Sequence, residues 1–174
     1  QRYSSKTAIV GWEIWNEPNQ QSNADNTTLG MVNSPSSYVA LLSQAYAVSR
    51  SLTPSKLVVT AAVTSINEDF PHALNYNKGM KTAGAEQYCD RWGVHFYGKE
   101  LLHVLIPGGV KDFLNSLTVP IWITESGQKG YNEQLQYAKE IWPFLTKNLN
   151  HAIDLFMNLI RNLTFIFNLM LAYL

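Results

Sequence analysis

Residues 11–19 read Gly11-Trp12-Glu13-Ile14-Trp15-Asn16-Glu17-Pro18-Asn19. The run from Ala8 to Trp15 is rich in β-branched and aromatic residues, which suit the pleated surface of a strand. Pro18 has no N–H to give a sheet ladder, so the strand ends and the chain turns at Glu17. A carboxylic acid is thereby set at the mouth of a strand. A second apolar run, Val119-Pro120-Ile121-Trp122-Ile123-Thr124, also ends on a glutamate, Glu125, followed by the loop-forming Ser126-Gly127.

Between these runs strand and helix patterns alternate. A polar loop is expected over 19–33, and Ser34-Pro35 reads as an N-cap with proline in the first helical position. Tyr38, Leu41, Leu42, Ala45, Tyr46 and Leu52 follow at helical spacing, and Pro54 marks the stop. Leu57 to Thr64 reads as a buried strand, 69–83 as a helix weakened by Gly79, and Arg91 to Tyr97 as the next strand. A poorly patterned stretch from Lys99 to Gly109 leads to a short helix over 110–117. Asn132 is the expected cap of an amphipathic helix carrying Leu135, Ala138, Ile141, Trp142, Leu145 and Leu149, kinked or interrupted near Pro143. This alternation predicts an α/β fold: parallel strands covered by helices, with loops at the strand C-terminal ends carrying the site.

A glutamate ending one strand is ordinarily a solvated loop charge; two together pose a sharper question. Glycoside hydrolysis needs a carboxylic acid to protonate the leaving oxygen and a carboxylate to attack the anomeric carbon or activate water. Trp15-Asn16-Glu17-Pro18 and Ile123-Thr124-Glu125-Ser126-Gly127 resemble the strand-4 and strand-7 signatures of the clan A glycoside hydrolases, which are (β/α)8 TIM barrels. Val94-His95-Phe96-Tyr97-Gly98 is similar to the clan's strand-6 segment, and the three occur in the clan's order over residues 7–128. Families 39 and 5 are the nearest in kind. The resemblance implies Glu17 as acid/base, Glu125 as nucleophile, Asn16 on the sugar 2-hydroxyl and Tyr97 orienting Glu125. It implies retention at a β-linked O-glycosidic bond, with carboxyl groups about 5–5.5 Å apart. His95 and Tyr97, two apart on one strand, project from the same face. Both are candidate substrate-binding residues; a packed histidine and an ordinary buried tyrosine are the alternatives. Trp15 is a further substrate-binding candidate, although Trp12 and Trp15 are expected chiefly in the core.

With 13 basic and 13 acidic residues the net charge is zero, and no Lys/Arg stripe exists to hold nucleic acid or an anionic membrane. Five tryptophans and nine tyrosines suit carbohydrate stacking as well as a core. Cys89 is the single cysteine and excludes an internal disulfide. His72, His95, His103 and His151 lack metal-ligand spacing, so neither metal nor cofactor is expected. The expected partner is an oligo- or polysaccharide.

A barrel of this type takes about 250 residues, and the chain has 174. The resemblance therefore implies that the four strands correspond to strands 4–7 of a partial barrel over residues 1–151. Residues 152–174 form an atypical, apolar, asparagine-rich segment, a candidate strand 8 plus helix. Asp154, Arg161 and three asparagines there argue against a bilayer span. Unpaired sheet edges predict self-association. Asn26-Thr27-Thr28 and Asn162-Leu163-Thr164 match the glycosylation triplet, a pattern common by chance. The resemblance alone implies export, to the periplasm or outside the cell. The rival reading is a non-catalytic carbohydrate-binding or assembly module derived from a truncated barrel.

Overall fold

Four short apolar runs form parallel strands in the computed structural model of the chain, which describes residues 3 and 5–149. They are β1 (Gly11–Ile14), β2 (Leu57–Thr60), β3 (Trp92–Tyr97) and β4 (Ile121–Gly127). β1 pairs with β2, Gly11 opposite Leu57, and β3 with β4, Trp92 opposite Ile121. A parallel bridge between Val59 and Arg91 joins the two pairs, with Thr60 N–H bonded to Arg91 O at 3.1 Å. Spatial neighbours thus follow chain order. Parallel neighbours need a crossover, and each connection supplies one: α1 (Ala24–Thr28) and α2 (Pro35–Leu52), then α3 (His72–Thr82), then α4 (Leu102–Leu105) and α5 (Val110–Asn115). α6 (Tyr131–Asn148) follows β4. The expected mixed α/β class with parallel strands is observed. None of the described helices is long and apolar enough to cross a membrane.

Strand alternation divides the sheet into two unlike faces. Val58, Trp92, Val94, Phe96, Ile121 and Ile123 belong to one continuous apolar cluster with α2, α3, α5 and α6, through residues such as Leu42, Met80, Leu114 and Ile141. Each fully buried side chain of that size contributes about 1.5–3 kcal/mol. The intervening positions, Glu13, Val59, Gly93, His95, Tyr97 and Trp122, lie outside this cluster and make up the inner face. Gly93 is required there by close approach: a Cβ would sit 2.4 Å from Thr60 O and 3.1 Å from Ala62 N.

Several local expectations are corrected. The 19–33 loop contains α1, started by Asn23, whose side chain accepts the Asp25 N–H. Lys99 to Gly109 contains α4. β2 stops at Thr60, because the next polar groups are taken from the ladder: Ala62 O accepts Glu17 N–H at 2.9 Å and Thr64 N–H goes to Asn19 Oδ1 at 3.0 Å. α6 is preceded by Gly130, not capped by Asn132; φ of +102° at Gly130 makes the sharp entry that a side chain resists. The buried face of α6 runs through Tyr137, Ile141 and Leu145, while Leu135 and Ala138 are exposed. α6 continues through Pro143; the carbonyl to which proline cannot donate, that of Lys139, belongs to an exposed residue. Trp12 and Trp15 are only partly buried, and Trp12 donates to Thr53 Oγ1 at 3.1 Å. The N-cap at Ser34 with Pro35 inside the helix is as expected. The candidate strand and helix of 152–174, and His151, lie outside the described residues.

Candidate active site

The end of β1 is held open by strain and by side chains. Trp15 and Glu17 have φ of +78° and +42°, a left-handed conformation that costs non-glycine residues about 1–3 kcal/mol. Asn26, fully buried on α1, braces the turn. Its Nδ2 donates to Glu17 O at 2.8 Å and Gln20 O at 3.0 Å, and its Oδ1 accepts Trp15 Nε1–H at 2.8 Å. Asn26 therefore has no free amide to carry a glycan, and its triplet is a chance match. Tyr38, buried on α2, donates to Ile14 O at 3.0 Å and accepts Ala61 N–H at 2.6 Å, tying the ends of β1 and β2. Burial raises its phenol far above the ordinary range, so it keeps that donor proton.

Side chains of the next loops continue the belt. Asn19 donates to Thr64 Oγ1 at 2.6 Å, and Thr64 in turn donates to Asp69. Ser65 Oγ accepts Tyr97 N–H at 3.0 Å, and buried Asn67 donates to Tyr97 O at 2.7 Å and Glu100 O at 3.2 Å. The mouths of β1, β2 and β3 are thus fixed to one another by polar side chains where ladder bonds stop.

Four of the predicted site residues converge within this belt. His95 is 1% exposed. Its Nδ1 lies 3.0 Å from Glu17 Oε1, and its Nε2 lies 3.6 Å from Glu125 Oε1. Tyr97 donates its hydroxyl to Glu125 Oε2 at 2.7 Å. Burial first, and then Glu125, pushes the Tyr97 phenol well up, so it stays a donor. Glu17 is mostly buried, whereas the Glu125 side chain is 46% exposed. Single ligand atoms of Glu17, His95 and Glu125 all lie within 4.8 Å of one another. A metal ion could use such donors, but His95 turns a different nitrogen to each carboxylate. That suits a bridge between two acids better than three ligands converging on one ion.

The other two predicted residues lie apart from this group. Asn16 is exposed between the two left-handed residues, with no hydrogen bond to the four. Trp15 packs against the apolar cluster and spends its Nε1–H on Asn26.

Two neighbours escaped sequence reading. Glu13 Oε1 accepts Thr124 Oγ1–H at 2.9 Å and Ala62 N–H at 3.2 Å. Burial of the carboxylate, opposed by those bonds, raises its pKa above the ordinary 4.5. The signal available was a lone charge in the middle of the apolar run 8–15. Thr124 is the second: His95 pairs with Glu125 while Val94 pairs with Ile123, so Thr124 is an extra residue, a β-bulge.

No family model matches the chain, and neither the curated proteins nor the solved structures give a match.

Proposed function

We propose that the chain carries the catalytic pair of a retaining glycoside hydrolase, and that β1–β4 are consecutive strands of a (β/α)8 barrel of the clan A kind, similar to families 39 and 5. The observation that carries this reading is the convergence of Glu17 and Glu125, from the first and last strands, on opposite nitrogens of buried His95. Their nearest oxygens, within 4.8 Å, suit the roughly 5–5.5 Å of retaining enzymes better than the roughly 6.5–9.5 Å of inverting ones. The one-sided helical layer supports the barrel, since a parallel sheet is ordinarily covered on both faces.

The chemistry follows from the residues. Glu17 gives its proton to the glycosidic oxygen as that bond breaks, and Glu125 attacks the anomeric carbon, forming a glycosyl ester. Glu17, now a carboxylate, takes a proton from water, which displaces Glu125 and releases sugar of the original configuration. Tyr97 holds Oε2 of Glu125, which leaves Oε1 as the attacking atom. His95 fixes Glu17 from a buried, rigid position. The expected substrate is a β-linked oligo- or polysaccharide, bound on the inner face at the strand mouths.

The test is hydrolysis of aryl β-glycosides by the chain and by Glu125→Gln, with the product's anomeric configuration followed by NMR. Loss of turnover in the variant and a retained anomer in the parent are expected. Absence of turnover in the parent, with sugar affinity equal in both, selects the carbohydrate-binding or assembly module instead.

A further inference from the structure

Adjacent residues of a regular strand point to opposite faces. Thr124 and Glu125 nevertheless both reach the inner face: Thr124 Oγ1 bonds Glu13, and Glu125 bonds Tyr97. The bulge makes this possible, because it inserts Thr124 between the pairs Val94–Ile123 and His95–Glu125. An extra residue is left without a ladder partner and needs something else to hold it.

Glu13 is that hold. One oxygen, Oε1, receives the Thr124 hydroxyl at 2.9 Å and the Ala62 N–H at 3.2 Å. The side chain therefore crosses from β1, past the end of β2, to β4. It passes over β3 at Gly93, where a Cβ would lie 3.0 Å from Oε1. A carboxylate at Glu13, a hydroxyl at Thr124 and the missing side chain at Gly93 form one fitted contact beneath Glu17, His95 and Glu125.

We propose that Glu13 is a positioning residue: by clamping Thr124 it fixes the bulge that aims Glu125 at the anomeric carbon. This rests on the glycoside hydrolase reading above. Glu13 itself touches no substrate. Its removal lets the bulge slide and misplaces the nucleophile, and a misplacement of about 1 Å costs about 100-fold.

The experiment measures kcat and KM on an aryl β-glycoside for Glu13→Ala, Glu13→Gln, Thr124→Val and the double variant Glu13→Ala/Thr124→Val, with folding checked by thermal unfolding. Glu13→Ala is expected to lower kcat about 10- to 100-fold with KM nearly unchanged. Glu13→Gln, which keeps an acceptor oxygen, restores most of it. Thr124→Val, which changes shape little, gives the same loss, and the double variant is no worse than either single one, since both cut the same bond. The decisive arm uses Glu125→Ala with azide as the external nucleophile, which forms the glycosyl azide. There Glu13→Ala costs nothing further, because no side-chain nucleophile remains to be aimed. An equal loss in the azide reaction, or wild-type kcat in Thr124→Val, overturns the inference while leaving the hydrolase reading intact. No turnover by the parent chain and none by Glu125→Ala with azide overturns that reading, and this inference with it.

Discussion

The two faces of one sheet are built by opposite rules. On the helix-covered face, Trp92 is fully buried and its Nε1–H is paired with Asn77 Oδ1 at 2.8 Å. On the inner face one strand away, Trp122 is also buried, yet its Nε1–H has no partner. The three buried side-chain nitrogens without a hydrogen-bond partner among the described residues are Arg91 Nε, His95 Nε2 and Trp122 Nε1. All three are on the inner face, and Arg91 stacks over the Trp122 ring at 5.8 Å. Native proteins rarely leave such groups unpaired. The outer face is closed by this chain's own helices, whereas the inner face carries charged and polar groups, three of whose buried nitrogens lack a hydrogen-bond partner. Packing is thus concentrated on one side of the strands, and the proposed chemistry falls on the other.

The largest effect that sharpens this contrast is catalytic. On the proposed hydrolase reading, Glu17→Gln is expected to lower kcat about 10²- to 10⁴-fold, by removing the proposed proton donor. Stability should move by no more than about 1 kcal/mol, since glutamine keeps an oxygen for the His95 contact and no core packing is lost. A matching fall in the unfolding midpoint would mean that Glu17 is there to hold the fold and would break the division of labour.

Next in size is Asn26→Ala, which removes a fully buried side chain, strands Trp15 Nε1–H and takes one of two donors from the carbonyls of Glu17 and Gln20, which keep the N–H groups of Gln20 and Asn23. At about 1–3 kcal/mol for the stranded indole and about 1 kcal/mol for each weakened carbonyl, a loss of about 3 kcal/mol is expected in urea unfolding. Hydrolysis should fall as well, because the left-handed turn at Trp15 and Glu17 loses its brace. Unchanged hydrolysis in a folded variant would show that Glu17 is placed by β1 and His95 without α1.

The two tryptophans offer a matched pair. Trp92→Phe strands Asn77 Oδ1 in the core, at about 1–3 kcal/mol beyond the lost packing. Trp122→Phe removes an N–H that already lacks a partner, so it should cost measurably less. Equal losses in chemical denaturation would mean that the inner face is as fully satisfied as the outer one.

Much of the outer face was legible in the sequence. Strand runs of Val, Ile and Trp, the Ser34-Pro35 start of α2 and the stop that Pro18 imposes are local signals, each read from a few neighbouring residues. His95 and Tyr97 were legible for the same reason, since a separation of two in a strand fixes a common face. What escaped was set by distant side chains replacing ladder bonds. Asn26 looked like one more loop asparagine, β2 seemed to run on to Thr64, and the bulge at Thr124 has no signature in its own residues. The register at Thr124 is held by a carboxylate that enters from β1, more than a hundred residues earlier in the chain.

The smallest predicted effect reads that carboxylate directly. Glu13 is exposed as a residue, but its Oε1 is hemmed in by Ala62, Thr124 and the backbone near Gly93. Burial raises its pKa above 4.5, so the native state binds this proton more tightly than the unfolded chain does. The contribution to stability is therefore fully present below about pH 4.5 and is lost as pH rises through the native pKa. Glu13→Gln carries no titrating proton and should flatten that part of the profile, with the variant gaining on the parent as pH rises above about 4.5. Solvent reaches the residue, and screening keeps the difference small. Unfolding midpoints of the two proteins at several pH values measure it. A gap that closes or reverses toward neutral pH would mean that the ionised carboxylate is held by its two donors more strongly than burial opposes it. Glu13 would then belong with the paired, satisfied polar groups of the outer face, and the contrast between the faces would end at β1.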